Sequence, residues 1–97
     1  MLDGPTIKAM SYGIPESVHA QFPKSANRRK VVVNAWHPDK TTLTRPEPGG
    51  MDGWVPVSEL ATEALLRRLK EDGYTWVNLH AGGSATPYKD VPLSRLI

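Results

Sequence analysis

The stretch Ser58-Glu59-Leu60-Ala61-Thr62-Glu63-Ala64-Leu65-Leu66-Arg67-Arg68-Leu69-Lys70-Glu71-Asp72-Gly73-Tyr74-Thr75-Trp76-Val77-Asn78-Leu79-His80 changes its period at Gly73. Before the glycine, Leu60, Ala61, Ala64, Leu65, Leu66 and Leu69 recur at helical spacing on one broad face. Glu59, Thr62, Glu63, Arg67, Lys70 and Glu71 lie mostly opposite. Ser58 is the expected N-cap, Glu63 and Arg67 form an i, i+4 pair in the favourable order, and Gly73 is the stop. This predicts a helix over 58–72. After the glycine the period falls to two and predicts a strand over 74–80. Thr75, Val77 and Leu79 point one way; Tyr74, Trp76, Asn78 and His80 point the other. A helix with one leucine-lined face beside a strand with one aliphatic face requires the two to pack.

Working outward, Lys30 to His37 is the next strand, because Val31, Val32 and Val33 are β-branched and Trp36 is aromatic. His37-Pro38-Asp39-Lys40 is expected to turn, with Pro38 setting φ, and Thr41-Thr42-Leu43-Thr44 to run back as a hairpin partner. His37-Pro38-Asp39 resembles the loop tripeptide of J-domains, but the likeness covers only those residues. Val31-Val32-Val33 is a poor helix interior, where that family has a helix. Residues 45–53 carry Pro46, Pro48, Gly49, Gly50 and Gly53 and are expected to be a flexible loop. Strand 54–57 contains Pro56, which cannot donate to a ladder, so it belongs at an edge. Near the start, Ile14, Val18 and Phe22 fall four apart and predict a short helix at 15–22, with Pro15 and Glu16 in its first turn. The expected fold is α+β: a small antiparallel or mixed sheet with strands near 30–37, 41–44, 54–57 and 74–80 and the main helix on one face. Residues 1–97 form one domain, the length being too short for two cores. Residues 1–13 and 85–97 are expected to be extended or to dock on a partner. Val91, Leu93, Leu96 and Ile97 are too apolar to stay in water, and meet either the sheet or another chain.

Composition narrows the function. The chain has 97 residues, 39% hydrophobic and 23% charged, and no cysteine. That excludes disulfide scaffolds, cysteine zinc sites and thiol chemistry. No apolar run approaches a membrane span, so no membrane partner is expected. Without cysteine or a secretory leader at Met1–Met10, a cytoplasmic location is expected. His19, His37 and His80 show no ligand spacing, so no metal and no cofactor is expected. No G-x-S-x-G elbow surrounds Ser84, and Gly82-Gly83-Ser84 lacks the following helix that would cradle a phosphate. No catalytic residue is assigned and no enzyme is expected.

Charge is uneven although the net value is +2. Lys24, Arg28, Arg29, Lys30, Lys40 and Arg45 stand against Asp39 alone in residues 24–45, and Glu47, Asp52, Glu59 and Glu63 dominate residues 46–66. With the helix on the Val77 face, Tyr74, Trp76, Asn78 and His80 are left on the reverse face. Trp36, in register with Asn34 and Val32, is expected to join them. Two functions follow. The first is a non-enzymatic protein-binding module docking through Trp36, Tyr74, Trp76, Asn78 and His80, its partner another protein or a second copy in a homodimer. By analogy, such a chain resembles small phage or mobile-element accessory proteins that regulate or inhibit a larger machine, including nucleic-acid-processing ones. The alternative is nucleic-acid binding, with the six cations on phosphates and tryptophan stacking on bases.

Overall fold

The computed structural model describes residues 13–47, 50–84 and 86–97, so the predicted tail at 1–13 lies outside the described residues except for Gly13. The elements in order are α1 (Glu16–His19), β1 (Asn27–Trp36), β2 (Trp54–Ser58), α2 (Glu63–Glu71), β3 (Trp76–Gly82) and β4 (Lys89–Pro92). Short 3-10 turns cover Pro38–Lys40 and Leu93–Arg95. The four strands form one antiparallel sheet in the order β2-β1-β3-β4. This is an α+β fold with α2 on one face, a slab 44 × 33 × 19 Å.

β-branched residues place β1 at the centre. Val31, Val33 and Ala35 alternate inward and stand opposite Ala81, Leu79 and Val77 of β3; Val91 of β4 pairs with Val77. All seven are buried, and with Val18, Phe22, Ala26, Ala61, Leu66, Leu69, Leu93 and Leu96 they form a single core cluster. Each such side chain stabilises the fold by roughly 1.5–3 kcal/mol when fully buried, alanines less. Pro56 lies in an edge strand, as a residue without an N–H requires.

The main helix starts later than the leucine pattern implies. Ser58 is still paired with Val33 in the sheet. Its Oγ accepts from the backbone N–H of Leu60 in a local turn. The N-cap is Thr62, whose Oγ1 accepts from Leu65 N at 3.2 Å. Leu60 is therefore outside the helix and 48% exposed. The C-terminus closes as a Schellman motif: Tyr74 N donates to Leu69 O and Gly73 N to Lys70 O, with Gly73 at φ +92°. Tyr74 is thereby taken out of the strand, so β3 runs 76–82 rather than 74–80.

Thr41-Thr42-Leu43-Thr44 is not a strand. β2 occupies the edge of β1 that a hairpin partner would need, and Thr41 Oγ1 accepts from Leu43 N, a local bond that competes with a ladder. The turn at Pro38–Lys40 leads instead into the irregular segment before β2. The tail meets this chain's own sheet: Lys89–Pro92 pairs with β3, and Val91, Leu93 and Leu96 are buried. Among the described residues no helix is long and apolar enough to cross a membrane.

Candidate functional site: the reverse sheet face and a basic cleft

Strand register lays out the face opposite α2 in rows. Trp54, Trp36, Trp76 and Pro92 lie side by side across the four strands; the next row is Pro56, Asn34, Asn78 and Asp90; Val32 and His80 follow. Reversed triplets create this match, Asn34-Ala35-Trp36 on β1 reading backwards as Trp76-Val77-Asn78 on antiparallel β3.

The second row is a polar ladder. Asn34 Nδ2 donates to Asn78 Oδ1 at 3.2 Å, and Asn78 Nδ2 donates in turn to Asp90 Oδ1. Asn78 is 5% exposed, the one buried polar side chain among the described residues, and both ends of its amide are satisfied. Beside it, His80 stacks on Tyr88 with ring centroids 4.5 Å apart. Tyr88 and Met51 are largely exposed. Gly50, Met51, Asn78, Tyr88 and Asp90 enclose a cleft of about 260 Å³.

The five residues expected to form one docking face are only partly united. Trp76, Asn78 and His80 share it. Trp36 points to that side but is sealed, 2% exposed, with Gly53 lying close over its indole nitrogen. Gly53 approaches so closely that a Cβ there would stand 2.7 Å from Trp36 Nε1. Trp54 is buried alongside, and neither indole N–H has a hydrogen-bond partner among the described residues. Tyr74 is elsewhere: it packs against the core, its hydroxyl accepts from Lys40 Nζ at 2.8 Å, and the His37 ring meets it edge-on at 5.1 Å. Asn34, Tyr88, Asp90 and Met51 were not among the expected site residues. The mirrored triplets carried the signal for Asn34. Nothing periodic marks residues 86–90.

The six cations also divide. Lys24, Arg28 and Arg29 line one cleft of about 510 Å³, together with Gly13, Ile14, His19, Ala26, Asn27 and Leu60. Lys30 leaves this group to pair with Glu59 at 2.7 Å. That ammonium holds the Glu59 carboxyl below its ordinary value, by hydrogen bonding first and by charge second. Lys40 is engaged with Tyr74, and Arg45 borders a separate shallow groove with Leu43 and Glu47.

Acid–base groups are dispersed among the described residues. His19 and His37 point ring nitrogens at the carbonyls of Arg28 and Asp72, and no histidine is hydrogen-bonded to a hydroxyl. Among the described residues, no group of three or more His, Asp or Glu side chains is placed to hold a metal ion. No family model, curated protein or solved structure matches the chain.

Proposed function

We propose that this chain is a non-enzymatic protein-binding module that docks through the reverse sheet face, regulating the protein it holds. The observation that carries the reading is the Asn34–Asn78–Asp90 ladder, flanked by half-buried Trp76 and by the His80–Tyr88 stack. A buried amide fixed by partners on both strands presents a carboxylate edge in a set position, so recognition does not begin with the cost of ordering loose side chains. Aromatic rings and a methionine around fixed polar groups are the composition of an interface centre. Trp36 and Trp54 support the face from beneath rather than touching the partner. The partner that fits presents an apolar side chain to the 260 Å³ cleft and a donor to Asp90.

The test is affinity capture from source cells, with the immobilised chain compared against Trp76→Ala and Tyr88→Ala. Both side chains reach solvent, so circular dichroism should show both variants folded. The reading expects one protein captured by the parent chain and lost, by at least tenfold, from both variants. Undiminished capture by folded variants removes the reverse face as the docking surface. Light scattering on the purified chain separates self-association from a foreign partner.

A further inference from the structure

We infer that the cleft between α1 and the start of β1 is a separate binding site for a nucleotide unit, with its phosphate on Lys24, Arg28 and Arg29 and its base on the apolar floor. Three observations converge. The first is the distribution of counter-ions. Outside the cleft, among the described residues, three cations are paired with carboxylates, Lys30 with Glu59, Arg67 with Glu63 and Arg68 with Asp72, at 2.7 to 3.2 Å, while Lys40, Arg45, Lys70, Lys89 and Arg95 are not and do not converge on one cleft with Lys24, Arg28 and Arg29. In the cleft three cations converge, and among the described residues no carboxylate lines it. Glu16, on α1, faces His19 from 3.7 Å and is otherwise in solvent.

The second is that the donors are positioned. Arg28 is half-buried, and one end of its guanidinium is tied by Nη1 to the His19 carbonyl at 3.3 Å, while His19 Nε2 holds the Arg28 carbonyl in return. This reciprocal clamp joins α1 to the bulged start of β1 and leaves the other guanidinium N–H groups to an anion. A half-buried guanidinium with only a neutral carbonyl as partner is incompletely compensated, and a phosphate supplies the missing charge in bidentate geometry. Asn27 Oδ1 accepts from Arg29 N, which orients its amide N–H groups as further donors. The third is the floor. Ile14, Ala26 and half-exposed Leu60 give an aliphatic surface beside the cations. The volume of about 510 Å³ lies within the range of small-ligand sites. A flat apolar body joined to an anion fits this pairing better than a bare carboxylate does. The site lies at the α1 end of the core-side face, away from the ladder, and so stands apart from the docking reading.

The experiment measures fluorescence anisotropy with two probes, a labelled oligothymidylate and a mant-labelled adenosine triphosphate. Each is titrated into the full chain and into Lys24→Glu/Arg29→Glu and Leu60→Ser, exposed positions whose folding is checked by circular dichroism. The expected result is binding of at least one probe, weakened tenfold or more by the double charge reversal and severalfold by Leu60→Ser. Binding of the oligothymidylate alone identifies a strand as the source of the nucleotide unit, and binding of the free nucleotide identifies a small molecule. With the strand, three phosphate contacts set a log–log salt slope of about −2, which the double variant flattens. Trp76→Ala leaves both titrations unchanged. Absence of binding by either probe at low salt overturns the inference, and so does binding insensitive to the double reversal. Displacement of the probe by polyglutamate or by pyrophosphate as readily as by unlabelled nucleotide also overturns it, because the floor would then contribute nothing.

Discussion

Gly73 carries two constraints at once. Its φ of +92° is one that residues with a Cβ rarely adopt, and a Cβ would stand 2.6 Å from His37 Nε2. That ring is fixed, since Nδ1 accepts from Asp39 N, leaving Nε2–H to donate to the Asp72 carbonyl. His37 thus fastens the end of β1 to the end of α2. Gly73→Ala should therefore cost more than the left-handed backbone alone. We expect about 2–3 kcal/mol, a fall of roughly 10–20 °C in Tm for a domain of this size. In a His37→Ala background the collision is gone, and the same substitution should cost only about 1 kcal/mol. Thermal melts of the four proteins in the cycle check this; equal costs in both backgrounds would show that the ring gives way freely. Gly53 is the parallel case at φ +85°, where Trp36 Nε1 and Thr41 Oγ1 are the obstacles.

At the scale of elements, the competing caps of α2 give a direct comparison. Thr62→Ala should destabilise by about 1 kcal/mol, because it orphans the Leu65 N–H at a helix start. Ser58→Ala should cost less, since it releases only a turn bond in an exposed connection. Denaturant melts in which Ser58→Ala proves the more damaging would move the helix start back to where the leucines alone suggest it. The Lys30–Glu59 pair ties β1 to that same connection. Because the pairing lowers the Glu59 pKa, its stabilising effect is present at and above the ordinary carboxylate range and is lost as pH falls through the lowered value. Glu59→Gln should melt slightly below the parent at neutral pH and low salt. The gap should close on acidification, and also on adding salt, since both groups are in water; a gap that persists in acid contradicts the pairing. What the sequence revealed follows the same physics. β1, β3 and α2 were readable because their faces are periodic over several residues. Thr41–Thr44 has strand-forming residues but no free edge to join, and β4 has a single inward residue, Val91, between polar and proline neighbours. The parity of Trp36 and Trp76 was readable too. The burial of Trp36 depends on Gly53 lying close over it, which no local pattern encodes. The grouping of Lys24 with Arg28 and Arg29, but not with Lys30, depends on the irregular register between Asn27 and Val31.

For the whole molecule, the decisive fact is thinness: among the described residues, one helical layer on one sheet, 19 Å in the short dimension, around one core cluster. Such a slab cannot lose an edge without opening its interior. β4 and the turn after it supply Val91, Leu93 and Leu96, at 2%, 1% and 6% exposure, and Ser17 Oγ donates to the Leu96 carbonyl, holding α1 against them. Burying three such side chains is worth together about 5–9 kcal/mol, against a total stability of about 5–15 kcal/mol for a small domain. Their removal also uncovers the edge of β3 and cuts the polar ladder at Asp90. A chain truncated after Tyr88 should therefore show no cooperative thermal transition and should bind hydrophobic dye. Leu93→Ala, which removes one side chain and keeps the strand, should still fold, with Tm lower by roughly 10–25 °C. The alternative is that the apolar tail serves a partner and adds little to the monomer. It predicts the reverse: a truncated chain that melts cooperatively near the parent temperature. Calorimetry of the parent and the truncated chain decides between them.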